Sequence, residues 1–223
     1  MSFSQNWEDT YQNNRHISVW PWPNLISYFY KTYDRTSSVK VLEIGCGAGA
    51  NIPFFQSLPN VEYFGIDGSP NIIEKLKGRF PELKDNLKAS DFTKDIPFDL
   101  KFDYIFDRGA MCCVSLEAVK KTLQQLKDFA KEDAHYIGID WYSTEHTARE
   151  SGESIGDNGN TRDNYKDGPF QGIGPVHFFS KEEIEDIFKE SEILNLKLNK
   201  TKDYFPKKTE NNIFASWDLI VKL

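Results

Sequence analysis

Along the chain, short β-branched runs alternate with stretches whose apolar residues recur at helical spacing. Val39–Ile44 is such a run, suited to a buried parallel strand, and glycines follow it before a helix from about Ala50. Residues 61–66 form a second run. Ser69 then offers a helix cap, with Pro70 preset for the first helical position. Residues 85–89 make a weak third strand and residues 102–106 a stronger fourth. Ser115 opens a helix in which Leu116, Val119, Leu123, Leu126 and Ala130 share one face. Residues 135–141 supply a fifth strand, and Ser180 with Glu183 forms a capping box for a helix reaching about Lys189. Two last strands, near 192–199 and 213–221, close as a hairpin. The pattern predicts one doubly wound α/β domain over residues 1–223, its mostly parallel sheet covered on both faces.

Two stretches depart from this alternation. Residues 1–38 read as a helical preface in which Trp7, Tyr11, Trp20 and Trp22 are spaced among polar residues and broken by Pro21 and Pro23. Residues 142–177 are rich in Gly, Asp, Asn and Ser, and are long for a structureless connection, so they are expected to act as an active-site lid or as a linker. The 223 residues carry 27 basic and 34 acidic side chains, a net charge of -7, which gives no overall field to attract nucleic acid or an anionic membrane. The opening MSFSQNWEDTYQ has no basic-then-apolar signal, and no run is long enough to span a bilayer. Cys46, Cys112 and Cys113 cannot build a disulfide framework. A cytoplasmic protein, monomeric or homodimeric, is the expectation.

The most informative segment is VLEIGCGAGAN, residues 41–51. A buried strand runs into Gly45, Gly47 and Gly49, which permit positive φ and let a ligand press against backbone N–H groups. Ligands of doubly wound sheets bind at this edge. Asp67, at the end of the second strand, matches the acidic residue that accepts from the hydroxyls of a ribose. Ser90, Asp91 and Phe92 follow the third strand, where a carboxylate and an aromatic ring suit adenine. Asp107 and Arg108 sit at the mouth of the fourth. The glycine loop alone also fits a dinucleotide binder, so an NAD(P)-dependent oxidoreductase is an alternative. Glu43 argues against it, because its charge would repel a pyrophosphate yet could pair with a cationic amino-acid group.

Taken in order, Glu43 to Gly49, Gly65 to Ser69, Ser90 to Phe92 and Phe102 to Arg108 resemble the class I S-adenosylmethionine-dependent methyltransferases. The resemblance implies a seven-stranded sheet of order 3-2-1-4-5-7-6 with the seventh strand antiparallel. It implies that the Gly45 loop, with Glu43, Cys46 and Asn51, holds the amino-acid part of S-adenosylmethionine. Asp67, with Gly68 and Ser69, would hold its ribose, and Asp91 with Phe92 its adenine. The stretch ending at His177 to Ser180 is similar to small-molecule members of bacterial origin. The expected reaction is methylation of oxygen or nitrogen on a small polar or anionic metabolite, for example a nucleotide-sugar or surface-polysaccharide precursor. A non-catalytic binding subunit on the same fold is a second alternative.

In-line transfer from a sulfonium asks the protein to align a nucleophile and exclude water, with a general base where the acceptor is a hydroxyl. His177 is the first candidate base, with Asp140 second and Asp107 third, although His177 can equally be a packed histidine in an aromatic cluster. Arg108, Arg149 and Arg162 are candidate clamps for an anionic acceptor, or solvated surface residues. Trp22, Trp141 and Tyr142 are candidate substrate walls, and Trp20 a cover for the cofactor. Tyr11 and Arg15, four apart on an expected helix, could reach the cofactor carboxylate together. His16, His135, His146 and His177 show no metal-ligand spacing, so no metal is expected.

Overall fold

In the computed structural model, which describes residues 5–13, 15, 17–156, 159–206 and 212–223, the preface forms two helices, α1 (Gln5–Gln12) and α2 (Pro23–Thr32). Pro23 starts α2, where its missing N–H costs no hydrogen bond. The alternating body follows as β1 (Val39–Ile44), α3 (Ile52–Gln56), β2 (Val61–Asp67), α4 (Pro70–Arg79), β3 (Leu87–Ala89) and β4 (Phe102–Arg108). It continues through α5 (Leu116–Leu126) and β5 (Ala130–Tyr142). Ser69 caps α4 by accepting from the Ile72 amide, and Ser115 caps α5 by accepting from Ala118. Two expected boundaries shift. The helix after the glycines starts at Ile52 and is only one turn long, and Ala130 opens β5 rather than closing α5.

β1 lies between β2 and β4 in parallel register, which puts its carboxyl end at the middle of the sheet edge. Alternate side chains of these strands feed two cores. Leu42, Ile44, Phe64 and Ile66 face α5 and its neighbours, while Val41, Tyr63, Tyr104 and Phe106 pack with residues of α2, α3 and α4. The capping box of Ser180 and Glu183 is present at the start of α6 (Lys181–Ile187), which stops short of Lys189. The terminal hairpin of β9 (Glu192–Lys202) and β10 (Ile213–Lys222) adds β10 antiparallel to both β5 and β9. Numbering β9 and β10 as the sixth and seventh strands of the main sheet, its order is 3-2-1-4-5-7-6, the doubly wound topology expected from the sequence.

Asp218 sits where the β10–β5 register shifts, and it is buried. Its carboxylate accepts from Asn199 of β9 at 2.6 Å, from Asn24 and Tyr28 of α2 at 3.2 and 3.3 Å, and from the Asp140 amide of β5 at 3.2 Å. Four donors from three elements compensate the desolvation of one carboxylate, and in doing so moor α2 against the sheet.

The stretch after β5 is more ordered than its composition suggests. It contains a three-stranded antiparallel sheet of β6 (Glu153–Ile155), β7 (Thr161–Asp163) and β8 (Val176–His177). Beneath it Tyr165, Phe170, Ile173, Val176 and Phe178 form a third apolar cluster. The aromatic residues scattered among glycines are what allow an otherwise polar segment to fold.

His177 belongs to this insert and is fully buried. Its Nδ1 is 2.8 Å from the Thr161 hydroxyl on β7, its Nε2 lies 3.7 Å from the Glu183 carboxylate on α6, and its ring meets Phe179 edge-on at 4.5 Å. The residue therefore ties the insert to α6 instead of presenting a base. Replacing it with leucine is expected to lower the unfolding free energy by about 1–3 kcal/mol, the cost of stranding the buried Thr161 hydroxyl. Denaturant unfolding of the His177→Leu protein checks this, and a change below about 0.5 kcal/mol would exclude a structural tie.

Candidate active site

β1 runs straight into a turn whose glycines Gly45 and Gly47 have φ of 65° and 50°. These conformations are strained for any residue with a Cβ. Space also matters. A Cβ at Gly45 would lie 2.5 Å from that of Ala110, and one at Gly47 would lie 3.1 Å from the Tyr11 hydroxyl. Asp67, at the end of β2, fastens the turn: one carboxylate oxygen accepts from the Gly47 amide and the other from the Ser69 amide, each at 2.9 Å. Burial raises its pKa from 3.8 to about 6 against the pull of these two amides.

Glu43 is buried one strand over. It accepts from Asn51 at 2.8 Å and from the Tyr63 hydroxyl, and Asn51 in turn accepts from the Trp22 amide at 3.1 Å. Burial drives the Glu43 pKa up to about 8, opposed by those two donors and reinforced by the charges of Asp107 and Asp67. A carboxylate held this way is primed to ionise beside a cation. The four-residue chain from Tyr63 to Trp22 also couples the glycine turn to the preface.

These groups open into a cavity of about 320 Å³, within the range of small-molecule sites. Glu43, Gly45, Cys46, Gly47, Asn51 and Asp67 line one half, together with Gly68 and Phe92. Trp7, Tyr11 and Trp22 of the preface cover it, and Val114, Tyr142, Phe170, Ile173 and Phe214 wall the other half. Tyr142 stacks obliquely on Phe170 at 4.8 Å and meets Phe214 edge-on at 6.0 Å. Arg108 enters at the junction. Its Nε donates to Asp140 at 2.8 Å, and its guanidinium lies 3.8 Å from the centre of the Trp22 ring.

Several residues expected here lie elsewhere. Asp107 is fully buried behind the turn and accepts from Trp141 at 2.9 Å, from Tyr136 and from the Met111 amide at 3.1 Å. It shapes the exit of β4 and does not line the cavity. Asp140 is spent on Arg108 and on the Ser216 hydroxyl, and Trp141 is a core residue. His177, as described, is enclosed by the insert. None of the three candidate bases reaches the cavity.

The cofactor and substrate candidates divide similarly. Gly49 has φ of 74°, but a Cβ there would meet Leu76 and Ile52 at 2.7 and 2.8 Å, so it is a packing glycine. Ser69 is absorbed as the α4 cap, and Ser90 bonds the Asp95 carbonyl at 3.0 Å. Asp91 folds back on Thr93 at 2.7 Å and pairs with Lys94 at 3.0 Å, leaving Phe92 as the contribution of this stretch to the lining. Helix α1 ends at Gln12, so Arg15 does not share a face with Tyr11, and it is exposed. Trp20 is 79% exposed and does not line the cavity. Arg149 is engaged by Asn160 at 3.0 Å and Arg162 by the Gly152 carbonyl at 3.4 Å, both away from the cavity. His16 lies outside the described residues.

Other lining residues carried no motif. Ala110, Cys113 and Val114 enter because Gly109, at φ of 66°, turns the chain back over the end of β4. Burial raises the Cys113 thiol to about 12, so it is neutral near pH 7. The signal for Phe170, Ile173 and Phe214 was their apolarity within polar segments. Among the described residues there is no cluster of three or more His, Cys, Asp or Glu placed to hold a metal, and no helix is long and apolar enough to cross a membrane.

The arrangement fits S-adenosylmethionine on three observations. Gly47 offers open backbone against the ligand space, Asp67 retains an acceptor lone pair on each oxygen, and Glu43 supplies a carboxylate beside the place a cationic amino-acid group would occupy. A family model described as a methyltransferase domain matches residues 42–136. No curated protein matches the chain by sequence. Among solved structures, the chain is similar to an S-adenosylmethionine-dependent methyltransferase of Methanosarcina mazei, with 16% identity, 92% of this chain and 98% of that chain covered, and a TM-score of 0.67. It is also similar to TehB of Haemophilus influenzae at 13% identity, covering 96% of this chain and 66% of TehB, with a TM-score of 0.64. A third neighbour is the magnesium protoporphyrin IX methyltransferase of Synechocystis with bound S-adenosylmethionine, at 12% identity, 89% and 76% coverage and a TM-score of 0.57. Strand order and turn geometry are those of the class I S-adenosylmethionine-dependent methyltransferase fold, and residues 42–136 match a methyltransferase domain.

Proposed function

We propose that this protein moves the methyl group of S-adenosylmethionine to a nucleophile on a small molecule held between the preface and the insert. The observation that carries the reading is continuity: a single cavity is lined by the glycine turn and Asp67 at one end and by Trp22, Tyr142 and Phe170 at the other. A donor seated at the turn and an acceptor against the aromatic wall would meet near Arg108. Glu43 and Asp67 would hold the donor, and Phe92 its base. The sulfonium supplies an activated methyl group, so the contribution of the protein is alignment and exclusion of water. Trp7, Trp22 and the insert provide the cover. The bound S-adenosylmethionine of the Synechocystis neighbour supports the same ligand here. A cavity of this size favours a small acceptor over a polymer, and its apolar far wall favours an apolar body over a sugar.

S-adenosylmethionine and S-adenosylhomocysteine are expected to raise the melting temperature, whereas NAD and NADP are not. In calorimetric titration Asp67→Ala is expected to weaken S-adenosylhomocysteine by roughly tenfold to a hundredfold, the equivalent of losing charge-assisted hydrogen bonds. Stabilisation by NAD alone would overturn the proposal.

The electrostatics give a second test on the ligand-free protein. The Glu43 pKa is raised from 4.5 to about 8, so its contribution to stability is complete below about pH 4.5 and is lost as pH rises through 8. Asp67 and Asp107, both raised to about 6, act in the same direction over a lower window. His146, lowered by burial to about 4, acts oppositely below 6.5. The difference between wild type and Glu43→Gln isolates the first group. The Glu43→Gln protein is expected to gain roughly 2–4 kcal/mol on the wild type between about pH 5 and 8. Parallel stability curves would show that Glu43 is already ionised in the ligand-free fold.

A further inference from the structure

We infer that the acceptor has a small apolar body and carries a nucleophile that is already anionic, a carboxylate or a thiolate, directed toward Arg108. The inference rests on the methyl-transfer reading above and narrows its substrate class. Three features of the acceptor half lead to it.

The first is the wall. Trp7, Val114, Tyr142, Phe170, Ile173 and Phe214 present rings and branched carbons, and the neutral Cys113 thiol adds no charge. A sugar would bring a hydroxyl on nearly every carbon and lose its hydration against such a surface, a penalty incurred again for each group left unpaired. A flat or branched apolar body loses nothing there.

The second is the missing base. Among the described residues no histidine lines the cavity, and its two carboxylates, Glu43 and Asp67, belong to the glycine-turn half and already accept two hydrogen bonds each. The hydroxyls of Tyr11 and Tyr142 are pushed up by burial, so both stay protonated near pH 7. Among the described lining residues an alcohol acceptor would find no group to take its proton. A nucleophile ionised before it enters needs none.

The third is charge. Arg108 is the single cation among the described lining residues. Asp140 takes its Nε, Trp22 covers one face, and its two terminal nitrogens donate to no group among the described residues. A planar fork oriented from behind and open in front suits an anion. The same fork repels an ammonium product. Transfer to a neutral amine would leave a positive charge beside Arg108, whereas transfer to an anion cancels charge against the sulfonium, a gain that grows where water is excluded. The balance is complete: the lone pair of the acceptor forms the new bond to the methyl carbon as the carbon–sulfur bond breaks. The electron pair of that bond stays on sulfur as a neutral thioether, and no proton or electron is exchanged with another reagent.

The test uses calorimetry on the full chain saturated with S-adenosylhomocysteine, with para-nitrobenzoate, its neutral isostere para-nitrobenzamide, and UDP-glucose as probes. The benzoate is expected to bind at least tenfold more tightly than the amide and more tightly than UDP-glucose. Arg108→Gln should reduce the benzoate-to-amide ratio to near one, and Arg108→Lys should restore most of it. Turnover with para-nitrobenzenethiolate, para-nitrobenzoate and para-nitroaniline then separates the sources of the anion: methylation of the thiolate or the carboxylate supports the inference, and methylation of the aniline alone overturns it. Equal affinity for benzoate and amide, tighter binding of UDP-glucose, or no binding of either aryl probe also overturns it. Failure of S-adenosylhomocysteine itself to bind would instead bring down the methyl-transfer reading.

Discussion

The structure depends on one carboxylate holding one turn. Asp67 receives the amide of Gly47 on one oxygen and that of Ser69 on the other, so the end of β2 fixes both the turn after β1 and the entry to α4. Those two bonds act with the Cys46 amide on the Ile66 carbonyl and the Gly49 amide on the Cys46 carbonyl to settle the positive-φ glycines in one conformation, which matters because glycine is the residue with the most freedom to lose. The cost of burying Asp67 is met by backbone donors that a ligand does not displace, since each oxygen keeps a second lone pair. Preorganisation of this kind puts the desolvation cost into folding rather than into binding.

From that anchor the cavity separates into halves of opposite character. The glycine-turn half gathers buried acids, and desolvation above all, with smaller repulsion from neighbouring carboxylates, raises the pKa values of Glu43 and Asp67 toward neutral pH. The far half gathers rings and one guanidinium. The divide follows topology. Acids come from the ends of the adjacent strands β1 and β2, where polar backbone is exposed, while most of the rings come from the preface, the insert and β10, which must cover the sheet edge with apolar surface.

Much of this was legible in the sequence because the informative residues are local. Val39–Ile44 into Gly45 and Gly47, Asp67 at a strand end, and the Ser180–Glu183 box each write their structure within a few residues. The acceptor half was not legible, since it is assembled from segments far apart in the chain whose relative placement no period or cap encodes. His177 shows the difficulty: a histidine between Val176 and Phe178 reads the same whether its ring faces a ligand or a threonine, and only the pairing of β7 with β8 decides it. Asp107 and Asp140 failed as catalytic groups for a related reason. A strand-end carboxylate is spent wherever donors such as Trp141 or Arg108 converge on it, and that convergence is tertiary. In the 142–177 stretch, composition concealed a small sheet because four apolar residues, with Phe178 just beyond, suffice to seed a cluster.

The knot at Asp218 has a temporal consequence. Asn24 and Tyr28 wait for a partner that lies 194 and 190 residues further along the chain. During synthesis the first helix of the preface to touch the sheet therefore emerges long before the strand that moors it, and Trp22, just ahead of that helix, cannot take up its place over Arg108 by this route until the final hairpin has left the ribosome. Contacts so distant in sequence are slow to form and leave apolar surface bare while they are awaited. The mooring of the cover is thus the last part of the molecule to be completed, and a nascent chain lacking β10 would hold α2 only through its packing on the early strands and the bond from Trp22 to Asn51.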